Sequence, residues 1–383
     1  MDKPTVQDIF HRFYPAYLDQ YSPSPVQAKA AHNIMNCKTG AYGANVCVCE
    51  DCGFIQIHYN SCRNRCCPMC QAVPKEMWMD ARREDILDAP YFHLVFTVPD
   101  ILNPVIYSNQ RLLYDALYHA ASSTISELTA DPKHLGAKVG YICILHTWGS
   151  EMNFHPHIHA ILLGGRLASN NQWKDNGENF FLPIRVISKV FRGKYLEELK
   201  RLWKEDKLVF HGTAEKFRNH YTFKDLLDSC YGMDWIPHCK KTFNGAQTVI
   251  KYLGKYTHRI AVSNHRTVRM DDDTVTFLVK DYRNDGQWNE LTVSGVEFVR
   301  RFLMHVPPRR FVRIRHYGLL CSRTKSQKLT LCRNLLGCKK YLSKLRDMEM
   351  PEILEHLYGI KVCVCKACGG HLGKPQMRMP LRC

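Results

Sequence analysis

Three sets of side chains have the types and spacing to do chemistry. In Phe154-His155-Pro156-His157-Ile158-His159-Ala160-Ile161 a histidine stands at every second position. Side chains of an extended strand alternate between faces, so His155, His157 and His159 project together while Phe154, Ile158 and Ala160 turn the other way. Same-face neighbours lie about 7 Å apart, a distance two imidazoles bridge by converging on one cation. A divalent metal site is therefore expected. Further along, Tyr252 and Tyr256 are spaced i, i+4 in a segment whose Asn244 and Gln247 read as a helix start. That spacing puts both phenols on one helical face, with Lys251, Lys255 and Arg259 near enough to hold phosphate. The phenols sit in a cationic setting: Trp235 to Met270 holds seven Lys or Arg and no acid.

The third set is cysteine. Cys49-Glu-Asp-Cys52 and Cys67-Pro-Met-Cys70 are C-x2-C pairs 14 residues apart, close to the spacing of zinc ribbons, and together they predict one tetrathiolate zinc. Cys37, Cys47, Cys62 and Cys66, with His32 and His58, stand in reserve for a shared or second site. Near the C-terminus, Cys365-Lys-Ala-Cys368 is a candidate second zinc knuckle, with Cys363, His371 and Cys383 as candidate completing ligands. The 18 cysteines cluster as metal ligands do rather than spreading as a disulfide framework, which points to a reducing, cytoplasmic setting. Met1 to Gln20 carries Asp2, Asp8 and Asp19 and no apolar core, and no apolar run approaches the roughly 18 residues that span a bilayer.

Elements must position these groups. Tyr91–Val98, Val139–Trp148, Phe154–Leu163 and Trp235–Cys239 read as strands, and Gln110–Leu128 and Ile184–Leu208 as helices. Only Gly149 to Asn153 separates the second strand from the third, too short a link for a parallel crossover, so the pair is an antiparallel hairpin and the class is α+β. Beyond His265 a hairpin, Val275–Val279 with Trp288–Val293, leads to a helix announced by Ser294-Gly-Val-Glu297. The chain divides into a metal-held module (1–85), a central catalytic domain (86–264) and a basic C-terminal region (265–383).

The formal charge of +17 makes a polyanion the first candidate partner. From Phe298 to Arg333 there are ten Lys or Arg and no acid, interleaved with Phe302, Phe311 and Tyr317, a pattern suited to phosphates and stacked bases. Arg313 and Arg315 are the candidate phosphate contacts there.

His157-Ile158-His159 resembles the HUH signature of single-strand endonucleases, a group that includes rolling-circle initiators, relaxases and certain transposases. Longer strings are more specific. Leu145-His-Thr-Trp-Gly149, His155-Pro-His-Ile-His159, Tyr252-Leu-Gly-Lys-Tyr-Thr-His-Arg-Ile-Ala-Val-Ser-Asn264, Ser61-Cys-Arg-Asn-Arg65 and Phe311-Val-Arg-Ile-Arg-His-Tyr-Gly318 resemble, in order, the two-tyrosine rolling-circle transposases of the insertion sequence ninety-one family. Cys66 stands where that family usually has His, and Ser150-Glu151 replaces its Gln, leaving the third metal ligand open among His146, Glu151 and His155. The resemblance implies an antiparallel HUH nuclease sheet with helices on one face and a zinc module that grips element DNA. It further implies Mg²⁺ or Mn²⁺ held by His157 and His159, cutting of single-stranded element ends through a 5′-phosphotyrosine on Tyr252 or Tyr256, whose phenol, of ordinary pKa near 10, relies on neighbouring cations to become phenolate, and transfer to target DNA in the bacterial cytoplasm and nucleoid. A replication initiator or relaxase shares the chemistry. A zinc-dependent DNA-binding regulator, with the histidines and tyrosines in its core, does not.

Overall fold

The computed structural model describes residues 3–168, 170–175, 182–235, 238–243, 248–249, 252, 254, 261–281, 284–374 and 376–378. Helices α1 (Val6–Gln20) and α2 (Pro25–Met35) each begin with a capping box, Thr5 with Asp8 and Ser24 with Gln27, which satisfies backbone N–H groups that have no partner inside the helix. A hairpin of β1 (Ala44–Val48) and β2 (Ile55–Tyr59) follows, then α3 (Ala72–Arg83) and β3 (Tyr91–Thr97). Next come α4 (Asn103–Ser108), α5 (Gln110–Ala130), β4 (Val139–Trp148), β5 (Phe154–Leu167), β6 (Trp173–Asp175), α6 (Ile184–Lys204), α7 (His220–Gly232) and β7 (His238–Phe243). The last third holds β8 (Thr267–Met270), β9 (Thr274–Asp281), β10 (Gln287–Ser294), α8 (Gly295–Met304), β11 (Ile314–Tyr317), α9 (Lys325–Leu336), α10 (Met350–Tyr358) and β12 (Gln376–Arg378).

The central sheet runs β11-β4-β5-β3-β7, with β6 beside β5 and every pair antiparallel, so the class is α+β. The turn at Gly149–Asn153 closes the β4–β5 hairpin as its length requires. Trp235, expected to lead the next strand, instead packs its ring against Phe191 and Tyr195, and β7 begins at His238. One face of the sheet, through Leu94, Phe96, Cys143, Leu145 and Ile158, is buried under α5 and α6, contributing to one core. The other face carries Ile142, Ile144 and Ile161 and packs against Val249 and Tyr252. Two buried faces explain why every residue of β4 is buried, so its sequence shows no apolar–polar alternation.

Residues 1–85 and 265–383 are not separate in space. α1 and α2 share a core with α8 and β9, where Phe10 meets the Phe302 ring edge-on at 5.2 Å and Phe277 meets Phe298 at 5.5 Å. Gly295 opens α8 because a Cβ there would lie 2.2 Å from the Phe13 ring. The expected role of the interleaved aromatics is corrected by this packing for Phe302 and Phe311, which are buried and offer no face to a base, while the half-buried Tyr317 stacks one face on Tyr141. Among the described residues no helix is long and apolar enough to cross a membrane.

Candidate metal and nucleophile site

Register assembles the site. His146 on β4 stands directly opposite His157 on β5, and directly paired residues of antiparallel strands share a face, so His146 joins the face of His157 and His159. Ring nitrogens of these three buried histidines lie within 4.8 Å of one another, with the two Nε2 atoms of His157 and His159 3.1 Å apart. His157 Nδ1 lies 2.7 Å from the His155 carbonyl; donation of its proton there makes Nε2 the lone-pair nitrogen, the form a ligand needs. Trp148 stacks on the His146 ring at 4.8 Å and fixes its plane. Of the three candidates for the third position, His146 is the one whose ring nitrogen converges with those of His157 and His159. His155 turns instead toward Asp100, its Nδ1 3.4 Å from the carboxylate, because the strand is only beginning there and its side chain is one-third exposed. Glu151 is exposed in the turn, where its carbonyl accepts from Arg301.

A fourth imidazole, missed by the sequence reading, connects this cluster to a phenol. His93 on β3 pairs with Ile161 and therefore shares the histidine face, diagonal to His159. Its Nε2 lies 2.9 Å from His159 Nδ1, and the Tyr252 hydroxyl lies 2.7 Å from that Nε2 and 3.0 Å from its Nδ1. An isolated histidine in an apolar strand carries no signal of its own; knowing that β3 pairs with β5 would have exposed it. Tyr252 is helical and half-buried, and Gly254 beside it lets the chain approach α3, since a Cβ there would strike the Met79 sulfur. Tyr256, Lys251, Lys255 and Arg259 lie outside the described residues.

The two arginines singled out as phosphate contacts sit elsewhere. Arg315 pairs with Cys143, on the face under α5; its guanidinium lies 3.9 Å from the Tyr118 ring centroid and is ion-paired with Asp115. It packs the sheet against α5 with its side chain partly exposed. Arg313 accepts through its carbonyl from Leu145 N–H at 3.0 Å and from the Tyr118 hydroxyl, just before β11.

The cysteines correct the expected zinc set. Cys49 and Cys52 do not converge on Cys67 and Cys70. Cys67 and Cys70 join Cys37 and Cys62, while Cys49 and Cys52 join Cys365 and Cys368, each quartet having its sulfurs within 4.8 Å of one another. The reason is the hairpin: β1 and β2 carry the first pair at their connecting turn, away from the loop that holds the second. In the first quartet Cys70 lies 3.3 Å from Cys37 and 3.6 Å from Cys62, and hydrogen bonds from the Cys62 and Cys67 thiols hold its own pKa down to about 2. Such a sulfur-only set suits Zn²⁺. Cys66, at the position where a histidine was expected, is buried outside both quartets, and burial pushes its thiol up.

With this geometry in place, comparison with known proteins is informative. Residues 140–328 match the family model described as "Putative transposase", and residues 9–98 the one described as "Transposase zinc-binding domain". The chain is 39% identical to "Putative transposase y4qJ" of Sinorhizobium fredii over 95% of this chain and 93% of that protein. It is 29% identical to the transposase for insertion sequence element IS801 of Pseudomonas savastanoi pv. phaseolicola, over 79% of this chain and 72% of that one. Among solved structures, the conjugative relaxase TrwC in complex with oriT DNA matches at 18% identity over 29% of this chain and 44% of its own, with a TM-score of 0.22, too slight to bear on the argument.

Proposed function

Because the chain belongs to the insertion sequence ninety-one family of transposases, we propose that it cuts single-stranded DNA at the element's ends and joins the freed strand to target DNA through a phosphotyrosine on Tyr252. The observation that carries this reading is the run from Tyr252 through His93 to His159, which sets a phenol beside three convergent imidazoles. In the attack the Tyr252 oxygen bonds to phosphorus and the 3′ oxygen of the neighbouring nucleotide leaves, so one phosphodiester bond is exchanged for another and no nucleotide cofactor is consumed. His157, His159 and His146 would hold a divalent cation, which supplies Lewis acidity toward a nonbridging phosphate oxygen. Three nitrogen donors with no carboxylate favour Mn²⁺ over Mg²⁺, which prefers oxygen. His93, with Nε2 within hydrogen-bond reach of both groups, orients the Tyr252 hydroxyl and the His159 ring together. Tyr256 is the second nucleophile in this scheme, giving two cuts for two element ends. Zinc at the cysteine quartets would stabilise the DNA-gripping end of the molecule.

The test is incubation with labelled single-stranded oligonucleotides carrying the element's ends, with Mn²⁺ or Mg²⁺, resolved on a denaturing gel. A band shifted by the protein's mass and collapsed by protease is expected. Release of only free 5′-phosphate ends would show hydrolysis by a metal-activated water instead, and no cleavage with intact DNA binding would favour a regulator.

A further inference from the structure

Cys49 and Cys52 lie near the start of the chain and Cys365 and Cys368 near its end, yet their sulfurs form one quartet, with Cys49 and Cys368 3.5 Å apart and Cys52 and Cys365 3.8 Å apart. Four sulfurs each about 2.3 Å from a tetrahedral Zn²⁺ stand about 3.8 Å from one another, so the spacing is that of a loaded tetrathiolate rather than of two disulfides, whose sulfurs bond at about 2.05 Å. The two halves are built alike. Each reads C-x2-C-Gly, and each glycine adopts the left-handed backbone, φ +71° at Gly53 and +77° at Gly369. Each glycine N–H donates to the carbonyl of its first cysteine at 3.0 Å, closing the same tight turn. The first cysteine of each pair donates its backbone N–H to the residue just past the turn: Cys49 N–H to the Phe54 carbonyl at 2.9 Å and Cys365 N–H to the Gly370 carbonyl at 2.8 Å. On the C-terminal side Ala367 and Gly370 also aim their N–H groups at the Cys365 and Cys368 sulfurs at 3.4 Å, as thiolate ligands require.

The backbone joins the two halves independently of the sulfurs. β12 pairs with β1, so the N-terminal hairpin becomes a three-stranded sheet only when the C-terminus arrives. Cys49 bridges Leu372, Glu50 N–H donates to the His371 carbonyl, and Gly373 N–H to the Val48 carbonyl. Cys47, Cys49, Cys365 and Leu372 form a small buried cluster of their own. Of the other groups that could complete a C-terminal knuckle, His371 faces Glu50, with Nδ1 3.6 Å from the carboxylate, Cys363 lies outside the quartet, and Cys383 lies outside the described residues. The matched zinc-binding domain ends at residue 98, so it contains only half of this set.

We propose that Cys49, Cys52, Cys365 and Cys368 form a second structural zinc site, a split zinc ribbon that clasps the two ends of the chain together. The C-terminal segment is then part of the zinc module, and neither C-x2-C pair holds its metal alone. Zinc binding here closes a loop of the whole chain and fastens β12, whose short pairing with β1 could not persist without it.

The experiment is elemental analysis of the purified full chain, with wild type, Cys365→Ser/Cys368→Ser, Cys49→Ser/Cys52→Ser, the four-fold combination, and Cys67→Ser/Cys70→Ser. Wild type should hold two zinc ions. The first two variants and their combination should each hold one, the loss being shared rather than additive, and the fifth should lose the other ion. Limited proteolysis provides a readout that is independent of overall folding: either clasp variant should be trimmed behind Tyr358 while the central sheet survives, and zinc-loaded wild type should not. One zinc in wild type, or two zinc ions retained without Cys365 and Cys368, would overturn the clasp, as would three in wild type with one lost per clasp pair.

Discussion

Acid should destabilise the hairpin that carries the histidines, and one buried imidazole sets how much. His305 caps α8 at 7% exposure, with Nε2 3.0 Å from the Met152 carbonyl in the β4–β5 turn and Nδ1 3.1 Å from the Thr147 hydroxyl. Burial pushes its pKa from the ordinary 6.5 to about 4, aided by the charge of Arg300 and opposed by the Met152 carbonyl. Above about pH 6.5 the ring is neutral both folded and unfolded, and its full contribution is present. As pH falls toward 4 the unfolded chain binds the proton first, so stability is lost, by about 3 kcal/mol over that window. His305→Gln keeps one donor for Met152 and one acceptor for Thr147 but cannot titrate. Urea unfolding followed by tryptophan fluorescence at pH 7 and pH 4 should show wild type losing about 3 kcal/mol more than the variant, all other groups titrating in both. Equal losses would show that His305 is not held neutral by burial, and the reasoning would fail.

Replacing His157 or His159 with Ala should abolish cleavage while leaving DNA binding within a few-fold, since phosphate contacts by Lys and Arg supply most nonspecific affinity; oligonucleotide cleavage and filter binding read the two separately. His93→Ala should raise the Mn²⁺ concentration needed for half-maximal cleavage and slow the reaction about 10 to 100-fold, the usual cost of removing a group that orients a metal ligand, with partial rescue by His93→Gln. Arg315→Ala should cost about 1 to 2 kcal/mol of stability, by loss of its packing on Tyr118 and its pair with Asp115, yet leave the salt dependence of DNA binding unchanged; a slope reduced by about one would return Arg315 to the DNA surface.

The central sheet was legible in the sequence because two signals agreed. Alternation from Phe154 fixed which histidines face together, and the short link at Gly149 forced the antiparallel hairpin that brings His146 to them. Register could not be read, because a one-residue slip would move His146 to the opposite face, and only the pairing of His146 with His157 decides it. His93 escaped for the same reason one strand further away. The zinc partition escaped because sequence spacing measures proximity along the chain: Cys67 is nearer to Cys52 in sequence, but the C-terminus is nearer in space. A local clue was present in the shared C-x2-C-Gly pattern at Gly53 and Gly369. The basic aromatic stretch misled at Phe302 and Phe311, which are apolar enough to be core, because charge density alone does not say which side of an element faces water.

The central claim is that a tyrosine of this chain becomes covalently bound to DNA. The direct measurement is mass spectrometry of the protease-digested adduct formed with a labelled single-stranded element end, alongside Tyr252→Phe, Tyr256→Phe and the double variant. The account predicts a nucleotide attached to the peptide that contains Tyr252 or Tyr256, reduced in the single variants and absent from the double one while the fold persists. An adduct on another residue, or cleavage by the double variant at the wild-type rate, would contradict it.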